Sequence, residues 1–183
     1  MTEQRRIVET KRGPFILRPE RPEDDDFLFQ LFRANNIDVL LLMGLPEEMV
    51  EQLVQFQHRS QTATYRGMFP NAAFSIIEWE GETIGRFIEH DEEDVVYFVD
   101  FVLAPERQSQ GLGSAFIRAV MDEWAARGRG TRVKILHNND PSLKMCHKLG
   151  MVQSEPDEMG YIEMRWYPPG AERSTGATAP SAG

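Results

Sequence analysis

The chain has 183 residues, 41% hydrophobic and 27% charged, with a formal net charge of −9, the balance of a soluble domain large enough to hold its own core. Its acidic runs EDDD (23–26) and DEED (91–94) would repel phosphate backbones, which excludes nucleic acid as a partner while leaving room for a cationic substrate. A single cysteine, Cys146, excludes an intrachain disulfide and fits a reducing, cytoplasmic setting.

In chain order, MTEQRRIVETKRG carries charge and no apolar segment, so no signal peptide is expected. PFILRP (14–19) is read as a short strand. RPEDDDFLFQLF opens a helix, with Pro22 in its first turn, acidic residues at its positive end, and Phe27, Leu28, Leu31 and Phe32 on one face. VLLLMGL (39–45) is too short to cross a bilayer. A second helix is predicted over 46–69, with Met49, Val50, Leu53 and Phe56 turned inward.

The period then changes. AAFSIIEWE and ETIGRFIEH, joined at Gly81, predict a hairpin, and DVVYFVDFVLAP a third consecutive strand. After QSQGLG (108–113) comes a helix to about Arg127, its buried side Leu112, Ala115, Phe116, Ala119 and Val120, stopped by Gly128 and Gly130. TRVKILH is a strand, PSLKMCHKLG a short helix, and MVQSE with GYIEMRWY a closing strand pair. One domain is expected over 1–167. PPGAERSTGATAPSAG (168–183) has almost nothing to bury and is expected to be disordered. The pattern implies an α+β fold, layered αβα, with a mostly antiparallel sheet of about seven strands and about four helices.

The segment QSQGLG sits where a strand hands over to a helix. A glycine-rich turn there aims free N–H groups and the positive end of the helix dipole at one point, an anion site that suits phosphate. Gly111 and Gly113 keep side chains out of the way. It is not a P-loop, since no lysine follows Gly113, and Phe116 stands where a dinucleotide fingerprint needs glycine or alanine.

RQSQGLGSAFI resembles the Q/R-x-x-G-x-G/A signature of the GNAT superfamily of acetyltransferases, with Gln108, Gly111 and Gly113 in its places, and the preceding FVLAPE resembles that superfamily's strand-to-loop segment. NNDPSLKMCHKLGM resembles a second signature, in which Asn139, Ser142, Leu149, Gly150 and Met151 take the marked positions. The resemblance covers roughly residues 14–167 and implies a GNAT-like acyl-CoA-binding domain. In it the strands at 95–104 and 131–137, fourth and fifth in this count, would splay to admit acetyl-coenzyme A as co-substrate. The resemblance further implies that Gln108, Ser109, Gln110, Gly111, Leu112, Gly113 and Ser114 hold the pyrophosphate. Phe101, Val102 and Leu103 would pair with the pantetheine arm, and Asn139 and Ser142 would line the far side.

The implied reaction is attack by a primary amine, of a small molecule or a peptide, on the thioester. It needs a proton acceptor, a donor for the developing oxyanion (a strand N–H near Phe101), and optionally an acid for the thiolate. Where the superfamily often has a tyrosine acid, this chain has Cys146 followed by His147; the acid is Cys146, His147 or neither, Cys146 being otherwise an apolar filler. Candidate bases are Tyr97 and Asp100, with Glu78 and Glu89 expected on a solvated strand face. Alternation puts Tyr97 on the face of Val99 and Phe101 and Asp100 on the other. Asp100, within an apolar strand, is expected either to serve a cationic substrate or a proton relay, or to pair with Arg86 or Arg18. His58, His90, His137 and His147 lack paired metal spacing, so no metal is expected. Phe27, Phe32, Leu40 to Met43, Phe56, Tyr65 and Phe69 would supply a greasy acceptor pocket or plain core. No membrane partner is expected, and a homodimer is the default assembly. The alternative to an active N-acetyltransferase is an acyl-CoA-binding sensor or adaptor that has lost turnover.

Overall fold

The computed structural model describes residues 5–171. Its strands are β1 (Arg6–Val8), β2 (Phe15–Pro19), β3 (Ala73–Trp79), β4 (Glu82–Asp91), β5 (Val95–Leu103), β6 (Gly130–Leu136), β7 (Val152–Gln153) and β8 (Tyr161–Trp166). Its helices are α1 (Asp25–Leu41), α2 (Glu47–Met68), α3 (Leu112–Ala125) and α4 (Asp140–Lys148), with short 3₁₀ turns at Pro22–Asp24 and Pro105–Arg107. The α+β expectation holds. The sheet has eight strands in the order β1-β2-β3-β4-β5-β6-β8-β7, and β1–β2, β2–β3, β3–β4, β6–β8 and β7–β8 pair antiparallel. The strand beyond the expected seven is β1, three residues long and flanked by charge. The tail predicted from Pro168 lies almost entirely outside the described residues. No helix of the described residues is long and apolar enough to cross a membrane.

The chain divides into two compact units. One takes the described residues through His90 together with Phe98–Val120; the other takes Asp91–Tyr97 and the described residues from Met121 onward.

In the first unit the sheet presents two different faces. Toward α3 it is aromatic: the Phe116 ring lies 5.4 Å from Phe15, 5.3 Å from Phe87 and 5.5 Å from Phe101, stacked on the last. Leu112, Phe116, Ile117 and Val120 of α3 are buried, at the spacing of one helix face. Toward α2 the sheet carries charge. Arg18 and Arg86 lie in one row, each paired in register with Ile76, and both are buried. Arg18 grips Asp24 with two bonds of 2.7 Å and Glu78 with a third of 2.7 Å. The guanidinium holds the Asp24 carboxyl below the usual aspartate range, and Asp24 raises Arg18 in return. The bidentate bond ties the end of β2 to the turn that starts α1.

Gly85 joins the two faces. A β-carbon there would lie 2.3 Å from the Val102 carbonyl oxygen, so only glycine lets β4 pass this close to β5.

Several burial expectations are corrected. On α2 the inward residues are Val50 and Val54, which cluster with Leu40, while Met49 and Phe56 are exposed. The buried residues recur at four, the spacing of a narrow helix stripe, which leaves no room for Met49 and Phe56. Leu41, Leu42 and Met43 are exposed where α1 ends, so they are not core. Glu89 is buried rather than solvated and is paired with Arg6 of β1. Glu78 is half-buried against Arg18.

Candidate functional site

In the first unit, β5 feeds through the turn Pro105–Arg107 into residues 108–111 and then into α3. Ser109 (φ 58°) and Gly111 (φ 78°) both have left-handed backbone. For serine this conformation costs about 1 kcal/mol, and such alternation is how a chain curls its N–H groups around an anion. The first intrahelical bond of α3 runs from Ala115 N to Gly111 O, at 3.1 Å, so the amides of Leu112, Gly113 and Ser114 have no partner within the helix. A β-carbon on Gly113 would press the Phe101 ring at 3.3 Å.

Gln108 has a different part from its neighbours. Its amide donates to Pro105 O at 3.1 Å, and its side chain donates to Leu103 O at 2.8 Å and Asn35 Oδ1 at 2.7 Å. It fastens the turn to the end of β5 and to α1, so among the expected phosphate-binding residues it supports the loop. The Gln110 side chain donates to Glu106 O at 2.6 Å. Of the three residues expected to pair with a cofactor arm, Leu103 has its carbonyl taken up by Gln108 and Asn35, and the Val102 carbonyl lies against Gly85.

Sequence reasoning missed Arg12. This residue of the β1–β2 connection donates from Nη2 to Gln110 O at 2.9 Å, and Trp79 Nε1 holds the Arg12 carbonyl at 3.0 Å. In a planar trans peptide the C=O and the following N–H point opposite ways. An arginine behind the Gln110 carbonyl therefore leaves the Gly111 N–H pointing away from itself. It also brings a positive charge to the loop. A β-carbon on Gly111 would stand 3.3 Å from Arg12 Nη2. The partners are 98 residues apart in the chain, so no local signal marks the pair.

Strand β5 does not alternate throughout. Phe98 and Phe101 both reach Phe87, at 5.2 and 6.3 Å, whereas residues at this odd spacing face opposite ways in a regular strand. The alternation therefore slips by one residue between them, as at a β-bulge, where main-chain groups lose their ladder partners. The slip removes the basis for placing Tyr97 on the face of Phe101. Asp100 faces away from the aromatic layer: Arg86 donates to its Oδ2 from Nε (2.9 Å) and Nη2 (2.7 Å), and Nη2 also reaches Gln61 of α2 at 3.0 Å. Of the two readings of Asp100, pairing with Arg86 is the one observed.

The second unit holds the other predicted residues. Asn139 is the N-cap of α4, its side chain accepting from Ser142 N at 3.3 Å; the second signature is at least a helix cap. Cys146 is buried, and burial pushes its thiol up to about 11, so it stays protonated and inert at neutral pH. His147 is exposed. The Arg132 guanidinium lies 3.8 Å over the Tyr97 ring and pairs with Glu92 and Glu163. Burial raises the Tyr97 phenol, which keeps it a proton donor. His137 is an exposed strand-end residue bonded to Gly160 O.

Residues 42–151, more than half of the chain, match the model of the acetyltransferase (GNAT) family. No curated protein matches the sequence. Solved structures share the fold. The RimL ribosomal L7/L12 alpha-N-protein acetyltransferase in complex with coenzyme A has 16% identity and a TM-score of 0.61, over 89% of this chain and 98% of that one. The PaiA N-acetyltransferase of Thermoplasma acidophilum with coenzyme A has 14% identity and a TM-score of 0.62, over 84% and 98%. RimJ of Mycobacterium smegmatis with a coenzyme A disulfide has 14% identity and a TM-score of 0.59, over 89% and 86%.

Proposed function

The chain belongs to the acetyltransferase (GNAT) family and is an acyltransferase, and from that premise we propose that it moves an acetyl group from acetyl-coenzyme A to a primary amine by direct attack. The observation that carries this reading is the left-handed turn Ser109–Gly111 at the head of α3, with Arg12 behind it. That turn fits a diphosphate: both glycines stand where a β-carbon would crowd Arg12 or Phe101, and three helix-start amides face out of the turn. RimL, PaiA and RimJ, similar in fold, hold coenzyme A.

The amides of Gly111 to Ser114 would bind the pyrophosphate, with Arg12 and Gln108 holding the loop in shape. Bound there, coenzyme A supplies a thioester carbonyl. A slip of this kind in β5 beside Phe101 would free a main-chain N–H to steady charge on that carbonyl oxygen. Asp100 is paired with Arg86 on the α2 side of the same strand segment. RimL is named for a protein N-terminus, and a peptide α-amine is one primary-amine acceptor; a small-molecule amine is the other. The buried, protonated Cys146 is not needed, because a coenzyme A thiolate is itself a fair leaving group.

The test is thiol release from acetyl-coenzyme A with a panel of small primary amines and short peptides. Turnover with at least one amine, together with stabilisation by acetyl-coenzyme A of about 2.7 kcal/mol at a hundredfold excess over Kd, supports the proposal. Stabilisation without turnover would leave a binding module, and neither would remove the cofactor.

A further inference from the structure

The charged face under α2 also contains the carboxylate of Glu20. Glu20 follows β2, its amide bonded to Phe74 O at 3.0 Å as if the ladder ran on. Its side chain is only 5% exposed. Oε2 accepts from Arg66 of α2 at 2.8 Å, while Oε1 is buried without a hydrogen-bond partner among the described residues. A buried carboxylate oxygen left unpaired is costly, and sites where such a cost persists are often sites of function.

The surroundings say what would complete it. Arg66 is an exposed side chain, 55% accessible, whose guanidinium sits 4.5 Å over the Phe74 ring while it pairs with Glu20. A carboxylate beside an aromatic face is a receptor for an organic cation, and here the chain's own Arg66 occupies it. Asp100 adds negative charge, but its Oδ2 is taken up by Arg86. Glu20 is distinguished by the burial of its spare oxygen: among the described residues, Oε1 is the carboxylate oxygen that is both buried and without a hydrogen-bond partner.

We propose that Glu20 is the catalytic proton acceptor for the acceptor amine, binding its ammonium through Oε1 beside Phe74. The inference rests on the amine acetyltransferase reading. Glu20 takes one proton from the ammonium, an N–H bond breaking as an O–H bond forms, and returns it to solvent after turnover. The freed lone pair makes the C–N bond as the thioester C–S bond breaks, and the second nitrogen proton leaves with the sulfur. The charge environment suits the task. Burial raises the Glu20 carboxyl above the ordinary glutamate range, Asp24 and Asp100 raise it further, and Arg86 and Arg66 pull it down. A base raised toward neutrality combines ionisation with proton affinity.

The experiment compares wild type with Glu20→Gln, Glu20→Asp and Arg66→Ala, using whichever panel amine turns over best. Expected for Glu20→Gln is a loss in kcat/KM of about a hundredfold or more, the disappearance of the acidic limb of the pH profile, and unchanged acetyl-coenzyme A affinity by calorimetry. Glu20→Asp should recover part of the rate and keep the limb. Arg66→Ala removes a charge that lowers Glu20, so the limb should move to higher pH. Full activity in Glu20→Gln with the wild-type limb overturns the Glu20 assignment and leaves amine transfer intact. A wild type that binds acetyl-coenzyme A but acetylates no amine overturns both. Should Glu20→Gln fail to fold, the pH profiles of Glu20→Asp and Arg66→Ala decide alone: an unmoved limb in both refutes the assignment.

Discussion

The two faces of the first unit's sheet solve the same packing problem with opposite chemistry. The α3 face buries Phe15, Phe87, Phe101 and Phe116 against one another, and nothing there needs a partner beyond good fit. The α2 face buries Arg18, Asp24 and Arg86 among isoleucines, and each charge stands only because another meets it. Apolar packing is tolerant and steady across pH. Buried charge is exacting, and incomplete pairing, as at Glu20 Oε1 among the described residues, carries a cost that apolar packing does not. The glycine turn leaves the end of β5, the strand that carries Phe101 on one face and Asp100 on the other.

The contrast can be broken from either side. Phe116→Ala empties the centre of the aromatic layer and should cost about 4 kcal/mol in a urea melt, by the same amount from pH 5 to pH 8. Asp24→Asn strips the bidentate partner from Arg18 and should cost about 3 kcal/mol at neutral pH, Glu78 compensating in part. That loss depends on pH, because the folded-state Asp24 carboxyl is depressed. Its stabilising contribution is complete above the ordinary aspartate range and vanishes as pH falls through the folded value. The difference between wild type and Asp24→Asn should therefore shrink in acid; a difference that grew in acid would mean the pair is not what holds the start of α1. Arg12→Ala touches neither face. Its bond to Gln110 is exposed, so stability should change by less than about 0.5 kcal/mol, while acetyl-coenzyme A affinity measured by calorimetry falls severalfold.

The aromatic face was largely legible in the sequence. Phe116, Leu112 and Val120 fall at helical spacing after the glycine turn, and the turn itself is a local signal that a strand-to-helix junction must obey. The charged face was half legible. Asp100 stood out as a carboxylate in an apolar strand, and Arg86 was named as a partner, because oddity within a strand is a local property. Glu20 and Arg12 carried no such mark. Each sits in a charged stretch like any solvated segment, and what singles it out is a contact made by folding: Arg66 is 46 positions away from Glu20, and Gln110 is 98 from Arg12. Glu89 misled for the same reason, since its burial depends on β1, a strand too short to announce itself. The slip in β5 was hidden because the stretch FVDFV is apolar on both sides of Asp100, so no change in residue type marks the change of phase.

The grip of the glycine turn on the cofactor is tested most directly by titrating acetyl-coenzyme A calorimetrically into wild type and Gly111→Val. At φ 78°, with a β-carbon 3.3 Å from Arg12 Nη2, valine must distort the turn without disturbing the core. The expected result is saturable binding by wild type and affinity at least about tenfold weaker in the variant, a loss of about 1.4 kcal/mol, with the circular dichroism spectrum unchanged. Equal affinity in the two proteins, or no binding by wild type, would contradict the account.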